Sequence, residues 1–220
     1  MTGSRPRLLI VNPNTNVQVT EWLREEAARV AADDFDVIGV NAASGLAAIQ
    51  TPDDSRKAGQ AVADAIMATR GAAAAIVGAF GDPGLAHART LSSIPVIGLG
   101  ETGMREAGKG GRRFSVVTLG AAMRDFIAGR AKTLGLERQL VDILILSCSI
   151  SDLVENRTSH RNEILAAIRA CKGEAVLLGG APFAGLGSEM TRETGKLTLN
   201  GVAASVVEAR DALSARSDRP

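Results

Sequence analysis

The sequence predicts a two-lobed α/β protein with parallel sheets and its chemistry between the lobes. One observation is a motif at residues 77–86 (VGAFGDPGLA) that returns in variant form at residues 178–187 (LGGAPFAGLG). In each copy an aliphatic run breaks into small residues and a Pro, and a Gly-Leu pair opens an Ala-rich helix. The other is the alternation of apolar runs with helical patterns, which is typical of parallel sheets covered on both faces.

Composition limits the function classes. The chain has 220 residues, 45% of them hydrophobic, and its 25 Lys+Arg nearly balance its 24 Asp+Glu. Aromatic residues make up only 3%, which argues against a nucleic-acid partner. Apolar runs fall short of the roughly 18 residues that a membrane span needs, and the first residues lack an apolar signal segment. We therefore expect no membrane association and a cytoplasmic location.

Cofactor and metal motifs are also missing from the sequence. The two cysteines, Cys148 and Cys171, lack the paired spacing of a zinc site or of a disulfide framework. The glycines of residues 98–100 lack the third glycine of a dinucleotide fingerprint, and no P-loop pattern occurs. The sequence thus predicts no cofactor and no metal.

The first half of the chain reads as strands and helices in alternation. Apolar residues spaced by three or four indicate helices, and short aliphatic runs ended by Asn, Gly or Pro indicate strands. The predicted elements are a strand at 7–11, an Asn-rich turn at 12–16, a helix at 17–32, a strand at 36–40, a helix ending near 70, a strand at 74–77 and a strand at 94–100 that ends at Glu101.

The second half repeats this plan. We predict a strand at 114–118, a helix ending near 134, a strand at 141–146, a helix at 156–170, a strand at 174–178 and a closing helix at 201–213. Ligands of parallel sheets bind beyond the carboxyl ends of the strands. The two motif turns, Asn12 and Thr118 all fall at those ends.

Backbone amides at these ends predict an anion site. The unpaired N–H groups of residues 79–81 and 180–183, less the missing donor of Pro182, lie where helices begin, and residues 118–120 add a hydroxyl and further amides. Such preorganised donors stabilise a developing enolate without a metal.

Five motifs together resemble the aspartate/glutamate/hydantoin racemase superfamily, above all its hydantoin and allantoin racemase branch. They are NPNT at 12–15, FGDPGL at 80–85, GLGE at 98–101, VVT at 116–118 and GVAA at 201–204. The resemblance implies two similar Rossmann-like lobes related by a pseudo-twofold axis, with a cofactor-free active-site cleft between them. The lobes would comprise residues 1–100 with 200–220, and residues 101–199. It also implies a homo-oligomer whose substrates are small carboxylates or cyclic ureides with an acidic carbon-bound proton.

The chain departs from this family at two positions. Racemases of the family carry a cysteine at each motif turn, whereas here those positions are Ala79 and Gly180. A two-thiol proton transfer needs a titratable group on each face of the carbon. We therefore expect an isomerase-like enzyme that works by other groups. The alternatives are a lyase (decarboxylase) or ring-opening hydrolase that uses the same cleft, and a non-catalytic or cysteine-replaced member that only binds such ligands.

Two carboxylates are candidates for the acid–base role. Glu101 is the first, because we place it at a strand end, with structural capping as its alternative role. Asp82 is the second, although a helix N-cap ahead of Pro83 is the better interpretation of that residue. His87, His160, Cys148 and Cys171 are interpreted as packed or solvated residues rather than as catalytic ones.

The predicted substrate-binding residues come from the strand ends and from the resemblance. Asn12 and Thr15 are turn formers or ligand contacts, and Thr51 lies where the family presents a polar loop. Phe183 would line the pocket with apolar surface. The full predicted set is Asn12, Thr15, Thr51, Ala79, Phe80, Gly81, Thr118, Leu119, Gly180, Ala181, Pro182 and Phe183.

Overall fold

A computed structural model, which describes residues 5–42 and 52–217, confirms the α/β class. It has two four-stranded sheets, and every paired strand runs parallel to its neighbours. The chain divides into two compact units, which we call unit 1 (residues 1–99 and 202–220) and unit 2 (residues 100–201). Among the described residues, no helix is both long and apolar enough to cross a membrane.

Strands and helices alternate along the chain. The strands are β1 (Arg7–Asn12), β2 (Asp36–Asn41), β3 (Ala72–Val77), β4 (Val96–Gly98), β5 (Phe114–Leu119), β6 (Leu140–Leu146), β7 (Ala175–Gly179) and β8 (Leu197–Asn200). The helices are α1 (Val17–Ala31), α2 (Pro52–Ala68), α3 (Leu85–Leu91), α4 (Leu99–Ala107), α5 (Met123–Thr133), α6 (Ile150–Glu155), α7 (Arg161–Ala170), α8 (Gly187–Thr194) and α9 (Gly201–Ser217). Single 3₁₀ turns cover Lys109–Gly111 and Ala181–Phe183.

Both sheets have the same strand order. It is β2-β1-β3-β4 in unit 1 and β6-β5-β7-β8 in unit 2. In each sheet the two central strands are apolar and buried, as expected for parallel strands covered on both faces. All the strands of a parallel sheet end at the same edge, so the polar turns that follow them are brought together within each unit.

Helix α1 shows how the sequence sets these elements. The Asn16 side chain accepts a hydrogen bond from the Val19 N–H at 3.2 Å and caps the helix, as Asn does well. Val19, Leu23 and Ala27 form its buried stripe. Their burial against the sheet fixes the direction in which the Asn-rich turn leaves β1.

Two predicted elements differ from the structure around residue 100 and residue 156. The strand predicted at 94–100 is only Val96–Gly98, and helix α4 begins at Leu99. The helix predicted at 156–170 begins at Arg161, after a separate short helix α6. Helix α6 forms because Ser149 and Asp152 make a reciprocal capping box, which starts a helix before the predicted one.

The segment after the second motif also differs from the prediction. The Gly-Leu pair does not open an Ala-rich helix there, because a 3₁₀ turn comes first and the polar helix α8 follows. Strand β8, which pairs with β7, is missing from the predicted elements altogether. Its four residues alternate between Leu and polar residues and give too short a pattern to separate from a loop.

Gly84 of the first motif has a definite packing role. It adopts a left-handed φ of 72°, and an added Cβ would lie 2.4 Å from the carbonyl oxygen of Gly59 in α2. Only glycine on both sides permits the backbones of α2 and the motif to approach so closely. Both the left-handed backbone conformation and the close contact with Gly59 therefore require glycine at position 84.

We expect Gly84→Ala to lower the free energy of unfolding by about 3 kcal/mol, because left-handed strain and overpacking add at this position. Urea unfolding would measure the loss. Gly129→Ala is the matched control, since Gly129 lies within α5 and an added Cβ meets nothing within 4 Å. That control should be neutral or stabilising by up to about 1 kcal/mol. Equal stability of Gly84→Ala and the wild type would contradict the contact.

Candidate functional site

The carboxyl edge of the unit 1 sheet brings the first motif beside the Asn-rich turn. The Gly78 N–H donates to the Val11 carbonyl oxygen at 2.8 Å, which continues the ladder between β3 and β1 by one residue. Gly78 must be small there, because an added Cβ would lie 2.9 Å from Leu23 Cδ1. The turn that follows β3 therefore starts at a fixed place on this edge.

Asn12 organises the Asn-rich turn. It is fully buried, and its Nδ2 lies 2.9 Å from Thr20 Oγ1, 3.0 Å from Asn14 Oδ1 and 3.1 Å from the Asn16 carbonyl oxygen. Its Oδ1 accepts from the Asn14 N–H at 3.2 Å. The amide is used within the turn on both its donor and acceptor sides, so Asn12 shapes the edge of the site.

Thr15, by contrast, is exposed at this edge. No hydrogen bond of its hydroxyl occurs within the part of the chain that the structure describes, so its donor and acceptor are available to a ligand. Thr51, the other predicted hydroxyl contact of unit 1, lies outside the described residues.

Three successive amides of the first motif have no acceptor among residues 5–42 and 52–217. They are the N–H groups of Ala79, Phe80 and Gly81, between the Gly78 N–H, which binds Val11, and the Asp82 N–H, which donates to the Ala79 carbonyl oxygen at 3.0 Å. Phe80 is buried, and an added Cβ at Gly81 would meet nothing within 4 Å. The turn thus has one packed side and one open side, and it offers three unused donors.

Asp82 closes this turn, and the prediction that it caps a helix is wrong. Helix α3 begins at Leu85 with Gly84 as its N-cap residue. Asp82 instead adopts a left-handed φ of 47° and is only 6% exposed. Its carboxyl lies against β4, because an added Cβ at Gly98 would be 2.7 Å from Asp82 Cγ.

Glu101 lies in the first turn of α4, rather than at the end of a strand. Its two carboxylate oxygens face two guanidinium groups. Oε1 lies 3.2 Å from Arg105 Nη2, and Oε2 lies 3.4 Å from Arg130 Nη2. Its side chain is 16% exposed, so the carboxylate is partly open to solvent. Arg130 comes from α5, and sequence reasoning did not pair it with Glu101.

The carboxyl edge of the unit 2 sheet carries Thr118 and Leu119 at the end of β5. The Thr118 hydroxyl donates to the Gly179 carbonyl oxygen at 2.5 Å and so joins β5 to β7. Leu119 is buried in the core of this unit. Within the described chain the N–H groups of the next three residues, 120–122, have no acceptor, so the free donors here begin two residues beyond the hydroxyl.

The second motif turn uses most of its own amides. The Gly180 N–H donates to Leu178 O at 3.2 Å, and the Phe183 N–H donates to Gly180 O at 3.1 Å. Of the predicted donors, the N–H of Ala181 is the one without an acceptor in the described chain. Ala181 and Pro182 are buried, and the Phe183 side chain is fully enclosed in the unit 2 core.

Arg157 holds this turn from outside. Its Nη2 donates to the Ala184 carbonyl oxygen at 2.8 Å and to the Pro182 carbonyl oxygen. The residue lies between α6 and α7, in the segment predicted as a continuous helix, where its guanidinium would have been read as a solvated charge. Only the break between the two helices brings it to the motif.

A cysteine, a histidine and a glutamate meet at the end of β6. Ligand atoms of Cys148, His160 and Glu163 all lie within 4.8 Å of one another. Burial, and then the nearby Glu163 carboxylate, raise the pKa of the Cys148 thiol to about 11. Burial would raise the pKa of Glu163, but hydrogen bonds from Ser147 and Cys148 lower it below its usual value. Cys148 lies 12 residues before His160, so no short metal-ligand motif marks this cluster in the sequence. That the protein holds no metal stays a prediction.

Known proteins resemble this chain over most of its length. The Asp/Glu/Hydantoin racemase family profile matches residues 8–209. A hydantoin racemase of Pseudomonas sp. (strain NS671) is 26% identical over 206 residues, which cover 91% of this chain and 83% of that protein.

Two solved structures are similar as well. An allantoin racemase from Klebsiella pneumoniae superposes with a TM-score of 0.89 at 27% identity, over 96% of this chain and 89% of that one. An allantoin racemase from Pseudomonas fluorescens superposes with a TM-score of 0.88 at 28% identity, over 96% and 92% of the two chains. With the profile spanning both units, the chain belongs to the Asp/Glu/hydantoin racemase family.

Proposed function

We propose that this chain is a cofactor-independent, isomerase-like enzyme that acts on a small carboxylate or cyclic ureide, such as a 5-substituted hydantoin. The observation that carries the proposal is the run of three unused amides at residues 79–81. Family membership supports it, and so do the similar proteins, which act as hydantoin and allantoin racemases.

The amides suit an anion that develops during the reaction. Removing the carbon-bound proton of a hydantoin places negative charge on the neighbouring carbonyl oxygen. Fixed N–H donors at that oxygen stabilise the charge without having to reorganise. Such electrostatic stabilisation is usually the largest single contribution to the rate enhancement of an enzyme. The motif turn supplies such donors from the backbone, so the oxyanion needs no charged side chain.

The proton itself requires a titratable side chain, and Ala79 and Gly180 cannot serve. We assign the acid–base role to Glu101. Its carboxylate is held at a fixed place by two guanidinium groups, at 3.2 Å and 3.4 Å, and its side chain is 16% exposed, so a substrate can reach it. Asp82 is less accessible, since its carboxyl packs against the backbone of Gly98. We assign to Asp82 the shaping of the motif turn.

The two cysteines of the chain do not replace the family thiols. Both are buried. Burial first, and then a neighbouring carboxylate, raise the pKa of each thiol to about 11, with Glu163 beside Cys148 and Asp142 beside Cys171. Since the thiolate is the form that removes a proton, each cysteine is held in its inactive form near neutral pH.

The direct test of the assignment follows the C5 proton of a 5-monosubstituted hydantoin in heavy water by proton NMR. We expect the wild type to exchange this proton, and Glu101→Gln to exchange it at least about 100-fold more slowly, because a general base contributes that much or more. Glu106→Gln is the matched control from the same helix, since Glu106 pairs with Lys109 at 3.3 Å.

Each other outcome has a definite meaning. Unchanged exchange in Glu101→Gln would remove Glu101 from the mechanism. A wild type that never exchanges the proton, yet is stabilised saturably by the same hydantoin in a thermal shift assay, would contradict the enzyme and support a binding protein. Three observations favour that alternative: Ala79 and Gly180 cannot transfer a proton, and the Glu101 carboxylate is engaged by two guanidinium groups.

The raised pKa values of the two thiols predict a pH dependence. In the folded protein at pH 8, both cysteines should react with iodoacetamide about 100-fold more slowly than in urea, because a rise of two pKa units lowers the thiolate fraction by that factor. The folded state keeps thiol protons that the unfolded chain loses near its ordinary pKa of 9.0, so the free energy of unfolding should fall as pH rises from there to about 11. Peptide mass spectrometry would measure the labelling, and rapid labelling of folded Cys148 at pH 8 would contradict its enclosure.

A further inference from the structure

The cluster of Cys148, His160 and Glu163, which we call the Cys-His-Glu cluster, lies outside the turns used in the proposed function. Cys148 follows the carboxyl end of β6, and His160 and Glu163 are three residues apart at the start of α7. Residues three apart on a helix share a face. The fold therefore turns one short helix face toward the thiol, and the three ligand atoms come within 4.8 Å of one another.

The three donors are those of a zinc site. Thiolate sulfur, imidazole nitrogen and carboxylate oxygen are the side-chain ligands that zinc takes, and three of them leave a fourth position open. A thiolate selects against magnesium and calcium, which take oxygen ligands. The chemistry of the set points to a borderline or soft divalent cation.

The distances need only a small adjustment. Zinc–ligand bonds of about 2.0–2.3 Å place the ligand atoms of a tetrahedral site about 3.3–3.8 Å apart. The His160 Nδ1 and Glu163 Oε2 atoms are 3.5 Å apart already. The Cys148 sulfur lies within 4.8 Å of a ligand atom of each of the other two residues, so it is at most about 1.5 Å farther away than the tetrahedral spacing.

Neighbouring groups hold the carboxylate in the required orientation. The Ser147 hydroxyl donates to Glu163 Oε1 at 2.7 Å, and the Ser147 N–H donates to the same oxygen. The other oxygen, Oε2, is thereby turned toward His160. Such outer hydrogen bonds to a ligating carboxylate are typical of metal sites, because they fix the ligand before the ion arrives.

The local charge also favours a cation. Asp152 adds a second carboxylate close to His160 and Cys148. The nearest cationic side chain on α7, Arg161, is engaged elsewhere, with Glu189 at 3.1 Å and with Glu193. The side chains of His160 and Glu163 are 25% and 30% exposed, which leaves an entry path for an ion.

The geometry points to a binding site for a zinc-type divalent cation, formed by Cys148 Sγ, His160 Nδ1 and Glu163 Oε2 with one position open to solvent. This site is independent of the amides at residues 79–81 and of Glu101. Failure of the exchange experiment would leave it standing, and its own failure would leave the proposed function standing.

Cobalt titration of the reduced, chelator-stripped full chain tests the site. We expect one Co²⁺ per chain, a thiolate-to-cobalt charge-transfer band in the near ultraviolet, and loss of that band when Zn²⁺ is added. Cys148→Ser should abolish the band, and His160→Gln and Glu163→Gln should each weaken binding at least about 10-fold.

The chain offers matched controls, since it has two cysteines and two histidines. Cys171→Ser and His87→Gln should bind Co²⁺ as the wild type does. Ser147→Ala, which leaves all three ligands in place, should weaken binding by about 10-fold and serves if a ligand variant fails to fold. A wild type without the band, or a band that survives in Cys148→Ser and vanishes in Cys171→Ser, would overturn the site.

Discussion

Buried parallel strands are the constraint on which the rest of the structure depends. Their backbone groups must be paired, and a parallel ladder pairs them only as far as the strands run together. The Gly78 N–H makes the last such bond of β3, to Val11, and the next three amides leave the ladder without partners. The free donors of the motif turn are thus a direct result of where the strand ends.

The same sheet edge explains why polar side chains bond within the fold while backbone N–H groups are left for a ligand. Asn12 and Thr118 look like ligand contacts in the sequence because they are polar and end strands. Both are buried, and their side chains bond within the fold, Asn12 to its own turn and Thr118 to Gly179. Polar side chains buried at a sheet edge must be satisfied, so they shape the edge, and donors available to a ligand come from the backbone beside them.

Much of the fold could be predicted from the sequence, because apolar runs and helical stripes are local patterns. Helix α1 and the central strands follow from such patterns. Helix α4 could not be separated from the preceding strand, since Leu99 continues the apolar run of β4 directly. The site was less predictable. Arg157 and the Cys-His-Glu cluster depend on where α6 stops and α7 starts, which sequence periodicity fixes only loosely.

At Ala79 and Gly180 the chain has the motif turns of its family but lacks the thiols. The family resemblance implies a thiol at each of these positions. Ala79 is half-buried, and Gly180 has an extended φ of 169° that any residue adopts. An added Cβ at Gly180 would touch the Phe183 ring at 3.3 Å, a contact that a shift of a few tenths of an ångström relieves. The backbone at Gly180 is therefore compatible with a cysteine once the Phe183 ring shifts.

The most direct measurement is the racemisation of an optically pure 5-substituted hydantoin by the double variant Ala79→Cys/Gly180→Cys. If the family site is retained and only its thiols are missing, the double variant should racemise the hydantoin at least about 100-fold faster than the wild type or either single variant, since inversion by two thiols needs one on each face of the carbon. The double serine variant controls for size without a thiol. A folded double cysteine variant with no gain would contradict the retention of the site.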